Sequence, residues 1–363
     1  MKNQNSSLEG VRGAAAFVVM LYHAGVPFPT AIRHGYLAVD LFFVLSGFVI
    51  CSAYGASLSS GAQIGTFVVR RFGRLWPVHI ATTILFYAVA NVVTMLSTGT
   101  LAGLPPLSHV AALATMTQGL NLFPDMIGTK VNWSASDEFY VYLVFAALCF
   151  LLRGKARLVA FGVLAMLGYA IAVAASIVRH DCLRTGDCLA ALNCSFGWAR
   201  CIAGFFVGAL VAEFKNVLAM RVMSRRIPQL LAFAATLLFM SYSNVLGLAF
   251  AAPLVFGAFV ASLACDSGPI AKFFHERPFQ YLGRISYSLY LGHAVVAPLY
   301  AVAVTATSSP LVNFAAIAAF FAASVVLAHL LNRFVETPCR QYFYGLSSVR
   351  VRSPSSSPSS VSQ

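Results

Sequence analysis

Charged side chains are scarce in this sequence. Asp, Glu, Lys and Arg together make up 10% of its 363 residues, whereas 59% of the residues are hydrophobic and the mean hydropathy is +0.80. This composition excludes a soluble globular domain, in which about a quarter of the residues are charged. It predicts an all-α integral membrane protein that crosses the bilayer many times.

Other features are missing from the sequence, and their absence limits what the protein can be. No small-residue cleavage site follows the first hydrophobic segment, which runs from about Glu9 to Pro27, so we interpret it as a retained span and not as a signal peptide. No internal repeat or appended soluble domain is evident. Without a soluble basic domain, the net charge of +13 does not indicate a nucleic-acid partner.

Hydrophobic segments of about 20 residues predict about ten transmembrane helices. With a cytoplasmic amino terminus, most of the 24 Lys and Arg residues fall in cytoplasmic loops, which explains the positive charge as an orientation signal. We therefore predict that both termini are cytoplasmic, with a membrane domain over 1–345 and a disordered tail, rich in Ser and Pro, over 346–363. The predicted spans begin near Glu9, Gly35, Trp76, Trp133, Arg157, Phe196, Gln229, Leu246, Tyr281 and Leu311.

Arg12 and His23 lie eleven residues apart in the first hydrophobic segment. Eleven residues are almost three helical turns, so both side chains should lie on one face, separated by about 16 Å along the axis. Ionisable groups are costly at bilayer depth, so a pair on one face suggests a function. We interpret the two residues as the two ends of one site.

Asp40 and Glu138 lie at similar depth in two other predicted spans, and His23 lies near that level too. Three titratable groups from separate helices are expected to converge in the outer half of the bilayer, where they can share protons and hydrogen bonds. A polar cluster that only fixes helix packing is the alternative. The histidine among them favours a reaction site.

The sequence RRFGRLWP, which starts at Arg70 and includes Arg71 and Arg74, precedes the third predicted span. Three arginines in five residues offer bidentate donors for phosphate groups, although anchoring at the membrane surface is the favoured explanation when the motif is taken alone. The ninth span holds Arg284 at its inner end and His293 nine residues deeper. We rank His293 second, because a histidine near the bilayer midplane is more often packed than catalytic.

Cys182, Cys188 and Cys194 share a predicted outer loop at spacings of six. An oxidising periplasm would allow one disulfide and leave one thiol, and the sequence alone leaves open whether the disulfide forms. The spacing fits no zinc pattern, so no metal is expected.

Several motifs, taken together and in order, resemble the acyltransferase-3 family of integral membrane acyltransferases. They are LEGVRG from Leu8 with Tyr22 and His23, GYLAVDLFFVLSGF from Gly35, RRFGRLWP, WSASDE from Trp133 to Glu138, LGRISYSLYLGH ending at His293, and Glu336-Thr337-Pro338 with Arg340. The resemblance covers residues 6 to 344. The sequence departs from the family pattern at Ala135, where Leu is frequent, and at Gly292, where Trp is frequent.

The resemblance implies ten membrane helices in a bacterial inner (plasma) membrane. It also implies transfer of an acyl group, often acetyl, from cytoplasmic acyl-CoA to a hydroxyl of a carbohydrate or glycolipid acceptor, such as an O-antigen or exopolysaccharide. Carried over residue by residue, the resemblance makes His23 essential for transfer and makes Glu138 the acidic residue that ends the WSxSxE motif. We expect Trp133 and Ser134 of this motif to contact the substrate, together with Arg284 and His293 of the ninth span. Arg12, Arg70, Arg71 and Arg74 fall on its basic motifs and are expected to bind acyl-CoA.

In the mechanism that we predict, His23 removes the proton of the acceptor hydroxyl, and Glu138 or Asp40 fixes its tautomer. A covalent acyl-histidine intermediate remains an open alternative. The rival from another class is a proton-coupled transporter or flippase for a sugar-bearing lipid, because intramembrane His, Asp and Glu also suit proton relays. A carrier needs no thioester, which separates the two hypotheses.

Overall fold

The computed structural model shows a bundle of helices. It describes residues 5–25, 34–186, 188–193, 195–242, 245–305 and 309–349, and all regular elements in these ranges are helical. Short 3₁₀ helices cover Gly35–Leu37 and Leu248–Ala251, and π-helical turns cover Ala175–Arg179 and Asn332–Glu336. The α-helices are α1 Ser6–His23, α2 Ala38–Tyr54, α3 Gly61–Thr98, α4 Leu107–Thr115, α5 Trp133–Leu151, α6 Gly154–Ala174, α7 Cys182–Thr185, α8 Gly197–Glu213, α9 Leu218–Met223, α10 Arg226–Tyr242, α11 Ala252–Leu263, α12 Pro269–Phe274, α13 Arg277–Thr305, α14 Pro310–Leu331 and α15 Thr337–Val349.

Six helical segments in the described part of the chain are long and apolar enough to cross a membrane. They are Gly35–Tyr54, Gly61–Thr98, Trp133–Leu151, Gly154–Arg179, Arg277–Thr305 and Pro310–Ser347. The other four predicted spans coincide with shorter or less apolar helices, namely α1, α8, α10 and the segment Leu248–Leu263. The multi-pass, all-helical architecture is confirmed, whereas the count of ten and the side of the termini stay predictions. The predicted tail over 346–363 falls mostly outside the described residues, although α15 continues to Val349.

Helix α3 begins fifteen residues before the predicted span at Trp76. It starts at Gly61 because Ser60 and Gln63 form a capping box, in which each side chain bonds the other residue's backbone N–H. Pro77 lies inside the helix, and a proline is tolerated there when neighbouring helices support the backbone. The arginine motif therefore lies within a 38-residue helix and not in a loop.

Helices α2 and α8 pack with their backbones in contact. A Cβ atom on Gly47 would lie 1.8 Å from the carbonyl oxygen of Phe205, and one on Gly208 would lie 2.0 Å from that of Val44. Small residues spaced four apart, here Gly204 and Gly208, permit this approach in membrane helices. The contact fixes the position of Asp40 relative to α8.

Helices α1 and α13 run parallel and also touch through glycine. A Cβ on Gly13 would lie 2.4 Å from the backbone nitrogen of Gly283, and one on Gly10 would clash with Phe274 at the end of the preceding helix α12. His23 and His293 each lie ten residues beyond the Gly13–Gly283 contact. The equal spacing places both imidazoles at the same level, about 15 Å along the two axes.

The start of α1 is held by a loop between α11 and α12. The carboxylate of Asp266 accepts hydrogen bonds from the backbone N–H groups of Ser6 and Ser7, at 3.0 and 2.8 Å, and lies 2.9 Å from the His275 ring. Burial alone would raise the pKa of Asp266, but the hydrogen bonds from His275, Ser7 and Ser6 outweigh it, so its pKa lies below the ordinary carboxyl value. The loop therefore stabilises the first turn of α1 with a negative charge.

We expect Asp266→Asn to lower the free energy of unfolding at pH 7 by about 1–2 kcal/mol, the usual worth of a helix cap or charged hydrogen bond. Because the folded pKa is depressed, this stabilisation is present above the unfolded carboxyl pKa of about 3.9 and is lost as the pH falls through the folded value. Thermal unfolding of detergent-purified protein between pH 7 and pH 3 should show the difference between wild type and variant shrink. Asp125→Asn, at an exposed carboxylate, is the matched control. A difference that grows on acidification would contradict this account.

Candidate active site

Two histidines from helices at opposite ends of the sequence meet in the bundle. The Nε2 atom of His293 lies 3.2 Å from Nδ1 of His23, and the ring centroids are 5.0 Å apart. His293 is fully buried, whereas His23 is half-buried at the last turn of α1. The pair is thus exposed on the His23 side alone, which is where a substrate can reach it.

The backbone carbonyls beside the pair decide which ring nitrogens carry hydrogen. Nδ1 of His293 lies 3.1 Å from the Leu289 carbonyl oxygen, and Nδ1 of His23 lies 3.0 Å from that of Val19. A carbonyl oxygen only accepts, so both Nδ1 atoms are assigned as N–H donors and Nε2 of His293 as the acceptor facing His23. Nε2 of His23 then carries the free lone pair that a general base requires.

Tyr290 links the histidine pair to the WSASDE motif on α5. Its ring lies 6.2 Å from that of His293, and its hydroxyl lies 2.8 Å from Oγ of Ser134 and donates to the Val131 carbonyl at 3.1 Å. Ser134, predicted to bind substrate, is therefore one buried hydrogen bond away from a residue that packs on His293. Tyr290 was not singled out in the sequence, although it lies on the face of α13 that carries His293, three residues earlier.

Glu138 does not contact the histidine pair. Its carboxylate accepts a hydrogen bond from Ser46 at 2.5 Å and another from the Tyr142 hydroxyl. The expectation that Glu138 fixes the tautomer of His23 is corrected by these contacts, because Val19 and His293 fill that role. Its own part in transfer stays a prediction.

Asp40 is paired with a buried arginine and not with His23. Its carboxylate accepts from Nε and Nη2 of Arg200, at 2.8 and 2.6 Å, and the two side chains are 1% and 4% exposed. The guanidinium also lies 5.7 Å above the ring of Trp133. The three titratable groups predicted to converge are thus held in three separate contacts, and Trp133 packs on the Arg200 cation.

Arg74 is held by an acidic residue from the far end of the chain. Its guanidinium forms an ion pair with the carboxylate of Glu336, which is 1% exposed and also accepts from Ser288 at 2.6 Å. The π-helical turn Asn332–Glu336 places this carboxylate in the bundle. The structure gives Arg74 a partner within the protein, so its predicted contact with phosphate stays untested.

Arg70 and Arg71 lie against α15. Nε of Arg70 donates to Oγ of Ser347 at 2.9 Å, and its guanidinium lies 4.8 Å above the Tyr344 ring. Arg71 donates to the Tyr344 hydroxyl at 3.2 Å and lies 5.4 Å above the ring of Tyr54, whereas its buried Nε has no hydrogen-bond partner among the described residues. These two cations keep donors available for an anion.

The remaining predicted residues lie at the ends of the site. Arg12 is on α1 with His23, as predicted, and forms a 3.7 Å ion pair with Glu9. Arg284 is exposed, and its guanidinium lies 5.9 Å above the Tyr281 ring, nine residues from His293. Its predicted contact with substrate stays a prediction.

Of the three loop cysteines, Cys182 and Cys188 form a disulfide. Cys194 lies outside the described residues. Leu189, next to the disulfide, supplies the carbonyl that accepts from Nη1 of Arg200 at 3.0 Å. The loop therefore covers the Asp40–Arg200 ion pair.

Comparison with protein-family models gives one decisive match. The model of the acyltransferase-3 family, described as an acyltransferase domain, matches residues 5–333. The chain belongs to the acyltransferase-3 family. His23, His293 and the arginines of α3 all fall within the matched range.

Several curated proteins are similar to this acyltransferase-3 chain. It is 26% identical to the peptidoglycan O-acetyltransferase OatA of Listeria monocytogenes, over 93% of the chain and 57% of that protein. It is 44% identical to protein 2 in the picA locus of Rhizobium radiobacter, over 22% of the chain and 43% of that protein. It is 31% identical to the acyltransferase MdmB of Streptomyces mycarofaciens, over 38% of each.

The chain spans about half the length of the curated relatives that it matches. No solved structure matches it significantly.

Proposed function

We propose that this protein is an O-acyltransferase that moves an acyl group, acetyl in the first instance, from cytoplasmic acyl-CoA to a hydroxyl of a cell-envelope or exported carbohydrate. Membership of the acyltransferase-3 family and relatives named as O-acetyltransferases support the reaction class. The observation that carries the proposal is the His23–His293 pair, which leaves one imidazole nitrogen free as a base.

The free Nε2 of His23 takes the proton of the acceptor hydroxyl as its oxygen attacks the thioester carbonyl. The C–O bond of the new ester forms, the C–S bond of the thioester breaks, and the proton passes from His23 to the departing sulfur to give free CoA thiol. Positive charge on His23 is stabilised by its Nδ1–H bonds to Val19 and to the lone pair on His293. His293 thus takes the orienting role expected of a carboxylate.

The donor end of the site is assigned to Arg70 and Arg71, with Arg12 on the path toward His23. Planar guanidinium groups match phosphate oxygens, and Arg71 has an unpartnered buried N–H to offer. Arg12 and His23 are on one continuous helix, about 16 Å apart, a distance that suits the extended arm of CoA. In this proposal the arginines face the cytoplasm, both termini are cytoplasmic, and ten helices cross the bacterial inner membrane.

Transfer can be tested with membranes that contain the protein and acetyl-CoA labelled in the acetyl group. We expect label to enter a carbohydrate or glycolipid fraction and free CoA thiol to appear with it. Export of a sugar-bearing lipid with the thioester left intact would instead establish the transporter alternative.

Arg71→Ala should raise the KM for acetyl-CoA by about 10- to 100-fold and leave kcat within about threefold, because one charge-assisted phosphate contact is lost. Initial rates at varied acetyl-CoA concentration measure this. Arg225→Ala, at an exposed arginine between α9 and α10, is the matched control and should leave KM unchanged. A fall in kcat at unchanged KM would contradict a role for Arg71 in donor binding.

A further inference from the structure

A cavity of about 160 Å³ lies between α5 and α8, beneath the segment that follows α4. Its walls are mostly apolar and aromatic, and Val144 at its edge is 39% exposed, so the cavity opens on the surface of the bundle. Its lining includes Leu120, Asp137, Tyr140, Val144, Trp198 and Ile202. A largely apolar cavity with one placed polar group is the usual form of a small-molecule site.

The polar group is Asp137, which is 0% exposed, and neither of its carboxylate oxygens has a hydrogen-bond partner among the described residues. Neighbouring donors are used elsewhere, because the Gly119 N–H donates to Ser136 at 3.1 Å and Ser136 donates to the Met116 carbonyl at 2.5 Å. Buried polar groups in folded proteins are almost always paired, so an unpaired carboxyl that lines a cavity indicates a ligand that pairs with it.

We infer that this cavity binds a hydroxyl-bearing sugar ring of the acceptor, with Asp137 accepting from its hydroxyls; the inference rests on the proposed function. Trp198 and Tyr140 offer flat apolar surfaces on which the C–H face of a sugar can pack. The Tyr140 hydroxyl donates to the Thr115 carbonyl at 3.1 Å, which fixes its ring. A metal ion fits poorly, since hard cations require six or more oxygen ligands and the walls supply few.

The cavity lies one helical turn from the residues that reach the histidine pair. Asp137 follows Ser134 by three residues on α5, so the two side chains are about 60° apart around the helix and about 4.5 Å apart along it. Ser134 contacts Tyr290, which packs on His293. A sugar held by Asp137 is thus bound on the helix that also borders the transfer site.

Dicyclohexylcarbodiimide tests binding without any turnover, because this apolar reagent forms a stable adduct with protonated carboxyl groups in apolar surroundings. Full-length protein in lipid nanodiscs is labelled, and peptide mass spectrometry locates the adduct with and without methyl glycosides of glucose, N-acetylglucosamine, galactose and rhamnose. We expect labelling at Asp137, slowed about tenfold by at least one glycoside at about nine times its Kd. Asp137→Asn should lose that adduct, and Asp125→Asn should keep it.

Absence of an adduct at Asp137, or an adduct that no glycoside slows, overturns the inference. Protection by decylamine or decanol alone also overturns it, because the cavity would then take an amine or a lipid chain. In the transfer assay, Asp137→Asn should raise the KM for the carbohydrate acceptor about tenfold. The wild-type protein could fail to transfer an acyl group although a glycoside still protects Asp137 from labelling. That result would reject the proposed function but would still support a sugar-binding site in this cavity.

Discussion

Replacing His23 with Ala should abolish acyl transfer and leave a folded protein. General-base catalysis contributes about 10²- to 10⁴-fold to rate, and His23 is the member of the histidine pair that is open to substrate. The imidazole is half-buried at the end of α1, so its removal leaves the Gly13–Gly283 helix contact in place. We expect kcat to fall by at least about 10²-fold while the unfolding temperature changes little. Labelled acetyl transfer and thermal unfolding measure the two effects.

His329→Ala is the matched control for this variant. His329 is exposed on α14 and its ring contacts Tyr281, away from the pair. It should keep normal transfer. Normal acetylation by the His23→Ala protein would reject the mechanism, and a stable acyl adduct on His23 after rapid quenching would replace the general-base step with a covalent one.

Arg200→Met should cause the largest loss of stability of any single change considered for this protein. It leaves the Asp40 carboxylate buried without its bidentate partner, and breaking a buried ion pair from one side costs about 3–5 kcal/mol. Equilibrium unfolding in mixed detergent measures the loss. The Leu189 carbonyl and the Trp133 ring lose their cation at the same time.

The double variant Asp40→Leu with Arg200→Met separates a structural from a catalytic role for Asp40. If the pair serves packing, removing both charges should restore most of the stability and also transfer, since an apolar pair of similar volume is often neutral. A stable double variant that cannot transfer the acyl group would indicate that Asp40 takes part in the reaction. Arg184→Met, in an exposed ion pair with Asp181, is the control and should change stability by less than about 1 kcal/mol.

Sequence reasoning was reliable where one helix decides the geometry. Arg12 and His23 belong to one uninterrupted helix, so their relative placement followed from helical periodicity alone. It could not name the direct partners where several helices decide together. Equal depth in the bilayer predicted that Asp40, Glu138 and His23 converge, but depth does not tell which residue each side chain bonds, and each of the three has its own partner.

The long-range partners could not be predicted because their signals are distant in sequence. The pair of His23 and His293 spans 270 residues, and that of Arg74 and Glu336 spans 262. The start of α3 did carry a local signal, since Ser60 and Gln63 have capping-box spacing. The predicted boundary rested on hydropathy and not on this capping signal, so the third span was expected to begin at Trp76.

The two imidazoles come from the first and thirteenth α-helices in the described part of the chain, and this order bears on biosynthesis. A ribosome makes α1 long before α13, so a nascent chain, or one truncated before α13, holds one histidine without the other. Under the proposed mechanism, His23 gains its orienting neighbour only after α13 has been inserted. A copy that lacks α13 is therefore expected to leave acyl-CoA uncleaved.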